Sequence, residues 1–294
     1  MNSQCTLCLA GGGVLGAAYE IGAMAAVEEH LEANGLQLSF DRIVGVSAGA
    51  AVASLLAQGV SARTLYKDFA SGLLSPGVAA GLTSMGPRFC RTRLLQGALR
   101  ALYAKRGLTN RFSELPAPLL IPAVDVDTAE RRVFGGHPIE QATIAEAVAA
   151  SCAMPPFFDP LTIDGRRFVD GAFVSPLYLD VAIGAGATKI LAVDPIAPTR
   201  SSPGSGPIAL LHGQCARIEH AARSALELAH ARLAAPHVRV VCFRPSRRET
   251  YAEPPMSWGA KDTVMKLGFE LTARQLDRGD ARALFDETEV ARAG

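Results

Sequence analysis

What this 294-residue chain lacks narrows its possible roles. No stretch reaches the roughly 18 uninterrupted apolar residues that a bilayer-spanning helix needs, so no such helix is expected. A charge excess of one sign is missing too. The 29 Lys and Arg stand against 28 Asp and Glu, a net of +1, and that gives bulk electrostatics no hold on nucleic acid. Charged residues are only 19% and hydrophobic ones 49%, a globular rather than a disordered composition. A secretory leader is not read either. The first apolar run lacks a basic start, is broken by Gly11-Gly12-Gly13, and flows into a helix carrying Glu20, Glu28 and Glu29. A cytoplasmic location is the resulting expectation.

The six cysteines, Cys5, Cys8, Cys90, Cys152, Cys215 and Cys242, lack metal-site spacing. Cys5-x-x-Cys8 has no second pair or His cluster nearby, and in a strand its two thiols face opposite sides. They read as small buried hydrophobes, and no metal or cofactor is expected.

What is present centres on Phe40 to Ala53. A β-branched apolar run ends in Gly45-Val46-Ser47-Ala48-Gly49, and an Ala/Val/Leu-rich helical pattern follows at once. Strand, sharp turn and helix are the context of a nucleophile elbow, with Ser47 at the turn and its hydroxyl held clear of the backbone. Gly45 and Gly49 remove side chains that would clash where helix crosses strand.

Gly11 to Gly16 admits two readings. As Gly-x-Gly-x-x-Gly between strand and helix it fits a dinucleotide fingerprint, but an acidic residue should then end the second strand, where Gly45-Val46-Ser47 stands instead. As an oxyanion hole, the loop turns the N–H groups of Gly11, Gly12, Gly13 and Val14 toward Ser47. The two loops leave the carboxyl ends of consecutive strands and can converge.

A serine nucleophile needs a base. Of the six histidines, His30, His220 and His230 lie in charged helical stretches and read as solvated surface. His137, in the loop Gly135-Gly136-His137-Pro138, is the one histidine kept as a candidate. Asp170, ending a strand before Gly171, is the better one, because a carboxylate in a drier site can take the serine proton. A turn residue bonding its own backbone is the plainer alternative for Asp170.

Apolar strands are expected at Cys5–Ala10, the elbow, Leu119–Val126, Lys189–Val193 and Val238–Phe243. A strand at Arg131–Phe134 and a hairpin over Leu161–Asp170 turning at Asp164-Gly165 accompany them. Helices are expected over Ala17–Ala33, Ser61–Phe69, Thr92–Lys105, Ile139–Ser151, Pro176–Gly184, Ala209–Ala234 and Lys261–Asp277. Residues 71–90 read as a loop able to cover a cleft. The alternation predicts an α/β fold, three-layer α/β/α with a mostly parallel central sheet, and no linker divides the chain. One domain over 1–294 is expected, with a motif-bearing core at about 6–194 and a helix–strand–helix extension at about 207–294.

In that order, Gly11–Gly16, Gly45-Val46-Ser47-Ala48-Gly49 and Asp170-Gly171-Ala172 resemble the patatin-like phospholipases. The stretch Ala150 to Phe158 is similar to the loop that precedes that family's catalytic Asp strand. The resemblance runs from about Thr6 to Asp194. It implies a Ser–Asp dyad acyl hydrolase acting on fatty-acyl lipid esters without histidine or metal. Ser47 matches the nucleophile, Asp170 the proton acceptor, and the Gly11–Gly13 loop the oxyanion hole. Leu15 departs from the family, which often has Arg or Lys there, and weakens the case for a strongly bound phosphate. Three rivals stay open: an acyltransferase using the same dyad, a non-enzymatic lipid- or acyl-binding regulator, and a dinucleotide-binding protein. The Arg/His-bearing helix at Ala216–Arg232 either rests peripherally on a membrane surface or presents a solvated outer face.

Overall fold

The computed structural model describes residues 4–36, 39–72, 92–136, 141–199 and 211–278. His137, Cys90 and most of the 71–90 loop fall outside them. Five strands run parallel in the order β3 (Leu119–Asp125), β2 (Arg42–Gly45), β1 (Cys5–Leu9), β7 (Lys189–Val193), β8 (Arg239–Phe243). Beyond β3 the sheet turns antiparallel: β4 (Arg131–Phe134) and β6 (Arg166–Asp170) both pair with it, and β5 (Leu161–Ile163) closes the hairpin with β6. The sheet is therefore mixed and mostly parallel. In the hairpin turn, Asp164 and Gly165 both take positive φ, as the Asp-Gly pair predicts.

Alternation along the strands divides the core in two. Leu7, Leu9, Ile43, Leu191 and Val193 face one cluster, while Cys8, Val44, Ile190 and Ala192 face the other. The first face is covered by α1 (Gly13–Ala33), α2 (Ala48–Leu56), α4 (Thr92–Lys105), α5 (Ile144–Ser151) and α8 (Lys261–Asp277). α3 (Ala62–Ala70) adds Leu65 and Phe69 to it. The second face is covered by α6 (Leu179–Gly184) and α7 (Ala216–Ala234).

Several boundaries move. α1 begins four residues earlier than periodicity suggests, because the glycine loop itself winds into its first turn. α5 begins at Ile144, behind a capping box in which Thr143 and Glu146 bond each other's backbone N–H. α7 begins at Ala216 after a π-helical turn at Leu211–Cys215.

The described residues of the C-terminal segment, 211–278, are built into the core. β8 extends the parallel sheet, and α8 lies so close to α1 that neither crossing point tolerates a side chain. A Cβ on Gly22 would sit 1.9 Å from the Met265 carbonyl oxygen, and one on Gly268 would sit 2.2 Å from that of Tyr19. α1 is consequently buried on nearly all sides, Glu20 included. The Glu20 carboxyl finds no hydrogen-bond partner, and burial pushes it well above the ordinary carboxylate range.

Candidate active site

The elbow forms as its sequence requires. β1 and β2 pair in register Leu9↔Gly45, so the chain leaves both strands side by side. Ser47 takes φ 55° and ψ −126°, a strained backbone for a non-glycine residue. Two contacts hold it there: its N–H donates to Ser151 Oγ at 2.9 Å, and the Ser151 hydroxyl donates to the Pro122 carbonyl at 2.7 Å. Gly49 is needed by close approach, since a Cβ would lie 2.4 Å from the Ala10 carbonyl oxygen.

Asp170 arrives from the antiparallel half of the sheet, at the end of β6, paired with Ala123 of β3. Ser47 Oγ donates to its Oδ2 at 2.6 Å, while Oδ1 accepts the Ala172 N–H at 2.8 Å. Tyr178 fixes the following turn by donating its hydroxyl to the Gly171 carbonyl at 2.7 Å. Asp170 is completely buried, and that desolvation pushes its carboxyl up to about 7. The Ser47 and Ala172 bonds, with His220 and Arg223 nearby, pull in the opposite direction and keep ionisation within reach of neutral pH.

The glycine loop lies against the serine. A Cβ on Gly11 would meet Ser47 Cβ at 3.0 Å. Gly13 takes φ 64° and opens α1, whose first-turn N–H groups have no intrahelical acceptor. The Leu15 N–H is taken by the Pro255 carbonyl at 3.0 Å, and intrahelical bonding begins with Gly16 donating to Gly12. Gly12, Gly13 and Val14 line a cavity of about 650 Å³ that Ser47 and Asp170 also line. Apolar side chains from α1 to α4, such as Ile21, Leu55, Phe69 and Leu99, form most of its wall. Pro155, Phe157 and Phe158 of the quoted loop join them; Pro156 does not.

Sequence reasoning missed the role of Ser151, although the residue lies in the Ala150–Phe158 stretch, and it misjudged the burial of His220 on α7. His220, expected on a solvated surface, is 5% exposed, and its Nε2 lies 2.7 Å from Asp194 Oδ1. Ser224 donates to the other Asp194 oxygen at 2.6 Å, and the Ile196 N–H donates to Oδ1 at 3.2 Å. Burial alone would push Asp194 up; the neighbouring imidazole and these donors outweigh it and hold the carboxyl below its ordinary value. Arg217, His220 and Ser224 are buried and Arg223 partly so, whereas Ile218, Leu226 and Leu233 of the same helix are exposed. The row Arg217, His220 and Ser224 thus points inward, so His220 is not the solvated residue that its charged neighbourhood suggested, while Glu219, His230 and Arg232 keep the opposite face of the helix exposed. Cys215 is exposed rather than buried and borders the cavity. Among the described residues no cluster of His, Cys, Asp and Glu is arranged to hold a metal, and no helix is long and apolar enough to cross a membrane.

Solved structures similar to this chain include VipD from Legionella pneumophila, at 15% identity over 94% of this chain and 67% of that one, with a TM-score of 0.50. The type III effector ExoU matches at 17% identity over 95% of this chain and 53% of its own, with a TM-score of 0.46. At such identities the likeness concerns the fold. The family model of the patatin-like phospholipases matches residues 7–183, more than half of the sequence, and takes in the glycine loop, the elbow and the Asp170 turn. The chain belongs to the patatin-like phospholipase family.

Proposed function

We propose that the protein is a serine acyl hydrolase that cleaves fatty-acyl ester bonds of lipids through an acyl-enzyme on Ser47, with Asp170 as proton acceptor. The observation that carries this reading is the 2.6 Å hydrogen bond from Ser47 Oγ to a buried Asp170, beside a cavity walled largely by apolar side chains. Membership of the family supports lipid hydrolase activity in general.

In the acylation step Asp170 takes the hydroxyl proton as Ser47 Oγ attacks the ester carbonyl. The oxyanion that forms is met by the N–H groups of Gly12, Gly13 and Val14, donors fixed in place before the reaction starts. Gly11 keeps that loop close to the serine. Protonated Asp170 then gives its proton to the leaving alcohol, and the acyl group stays on Ser47. Water, deprotonated by the same carboxylate, releases the fatty acid. A carboxyl poised at about 7 suits both directions of transfer near neutral pH.

The test is a fluorophosphonate probe, read by intact mass and peptide mapping beside turnover of a fatty-acyl ester. A single adduct on Ser47, with loss of labelling and turnover in Ser47→Ala and Asp170→Asn, is expected. Ester turnover undiminished in Ser47→Ala would overturn the mechanism. Transfer of the acyl group to an added alcohol in preference to water would make the enzyme an acyltransferase.

A further inference from the structure

The catalytic cavity has one wall unlike the others. Where α1 to α4 contribute hydrocarbon, α7 contributes Arg217, His220, Arg223 and Glu219. Arg217, His220 and Arg223 are three residues apart and so share a helix face. Their hydrogen-bonding capacity is only partly used. Arg217 is 6% exposed and lies with its guanidinium 4.9 Å from the Tyr251 ring. Its Nη1 and Nη2 donate to the carbonyls of Ala197 and Glu253 at 3.3 and 3.1 Å, and among the described residues no carboxylate forms an ion pair with it. Arg223 donates from Nη1 to the Phe173 carbonyl at 2.6 Å, and its buried Nε has no acceptor among the described residues.

The carboxylates nearby do not meet that demand. Both Asp194 oxygens are occupied by His220, Ser224 and the Ile196 N–H. Asp170 is engaged with Ser47 and Ala172. Glu219 is 68% exposed and stands 3.6 Å from Arg223 Nη2, a solvated pair worth little. Glu253 favours the Arg217 charge without forming an ion pair with it, and a buried cation that no described carboxylate pairs with, beside a buried N–H with no acceptor among the described residues, calls for an anion.

We propose that the α7 wall formed by Arg217, His220 and Arg223 recognises the anionic head group of an acyl ester whose chain fills the apolar part of the cavity. The substrate class is thereby an anionic acyl amphiphile, with a phosphate as the group that two guanidinium forks fit best. The cation that Leu15 does not supply comes instead from a helix outside the segment matched by the family model. This inference rests on the acyl-hydrolase reading only for its kinetic arm.

That arm compares kcat/KM for 1-palmitoyl lysophosphatidate and 1-palmitoyl glycerol, which differ by the phosphate alone. Preference for the phosphate ester is expected. Arg223→Gln should lower the ratio about tenfold or more, the scale of a charge-assisted hydrogen bond; Arg223→Lys should restore part of it, and raised salt should reduce it. Glu219→Gln, at an exposed position that threatens no fold, should raise the ratio by removing a competing carboxylate. An equal ratio for the wild type and all three variants would overturn the proposal. A second arm measures binding to catalytically dead Ser47→Ala by calorimetry, so that failure of hydrolysis does not decide the matter. Lysophosphatidate should bind at least tenfold tighter than the glycerol ester, and inorganic phosphate far more weakly. Equal binding of the two lipids, or phosphate binding as tightly as the lysolipid, would overturn it.

Discussion

The pH at which Asp170 ionises gives the sharpest test of the dyad. The perturbation is a titration from pH 9 to pH 4.5 with a neutral fatty-acyl ester, so that only the enzyme changes charge. Burial favours the protonated form and sets the carboxyl at about 7 against the hydrogen bonds from Ser47 and Ala172. Only the ionised form can take the Ser47 proton, so kcat/KM should be flat in the alkaline range and bend near pH 7. At pH 5, two units lower, about 1% of Asp170 is ionised, and the rate should be roughly 100-fold below its plateau. An ordinary aspartate, ionising at about 3.9, would leave the rate almost unchanged at pH 5. A profile flat down to pH 5 on folded protein would refute the argument.

The same shift makes a stability statement with a definite sign. Asp170 is raised in the folded state, so its contribution is fully present below the unfolded value of about 3.9 and is lost as pH rises through about 7. A displacement of about three units corresponds to about 4 kcal/mol of cost to the folded protein at pH 8. Asp170→Asn, which cannot ionise, should therefore gain in thermal stability on the wild type between pH 4 and pH 7 and hold that gain above. A difference independent of pH would show that the carboxyl titrates at its ordinary value.

Ser151→Ala removes the acceptor of the Ser47 N–H and the donor to Pro122, both buried; about 1–3 kcal/mol of stability should be lost, with a fall in kcat larger than any rise in KM. Gly268→Ala places a Cβ 2.2 Å from the Tyr19 carbonyl oxygen, and urea unfolding should register about 1–3 kcal/mol or more as α8 is pushed off α1. Leu99→Trp fills part of the apolar cavity and should move the preferred acyl chain toward shorter lengths. Each excluded methylene carries about 0.8 kcal/mol, close to fourfold in kcat/KM, and an unchanged chain-length profile would mean the acyl group lies elsewhere.

Where the sequence was legible, a steric or polar requirement left little choice. The strands β1, β2 and β7 are nearly continuous apolar runs because helices cover both faces, and Gly45 and Gly49 mark a crossing that admits no other residue. Ser47 and Asp170 could be paired across 123 residues because each ends a strand at a turn, and the structure brings their side chains together. α7 defeated the same reasoning for a physical cause. Its inward row is Arg217, His220, Ser224, Leu228 and Ala231, while Ile218, Leu226 and Leu233 face outward. A charged neighbourhood therefore suggested a solvated place for His220, which the fold buries beside the cavity. The role of Ser151 was not legible, although the residue lies in the Ala150–Phe158 stretch, because one hydroxyl inside an Ala-rich helix does not announce its partners. Two signals were readable and passed over: the Thr143-x-x-Glu146 capping box, and the lone glycines at 22 and 268, which inside helices mark close packing.

The family match ends at residue 183, yet a chain cut after residue 200 should not be a smaller enzyme. It would keep Ser47, Asp170 and the glycine loop, and would lose α7, β8 and α8. The Leu15 N–H at the first turn of α1 would lose its acceptor at Pro255, and a Gly13 exposed by the missing Pro255 and Met256 would be free to change conformation. α1 would lose the packing of α8 along Tyr19 and Gly22, and β7, still paired with β1, would become an open edge along Lys189 to Val193. An apolar helix buried on nearly every side cannot present one of those sides to water without rearrangement. Because α1 begins in the glycine loop that lies against Ser47, that rearrangement reaches the serine directly. The truncated chain should unfold without a cooperative transition and should fail to react with the fluorophosphonate probe at Ser47. A 1–200 fragment that melts cooperatively and labels at the wild-type rate would show that the C-terminal third contributes nothing to holding the glycine loop beside Ser47.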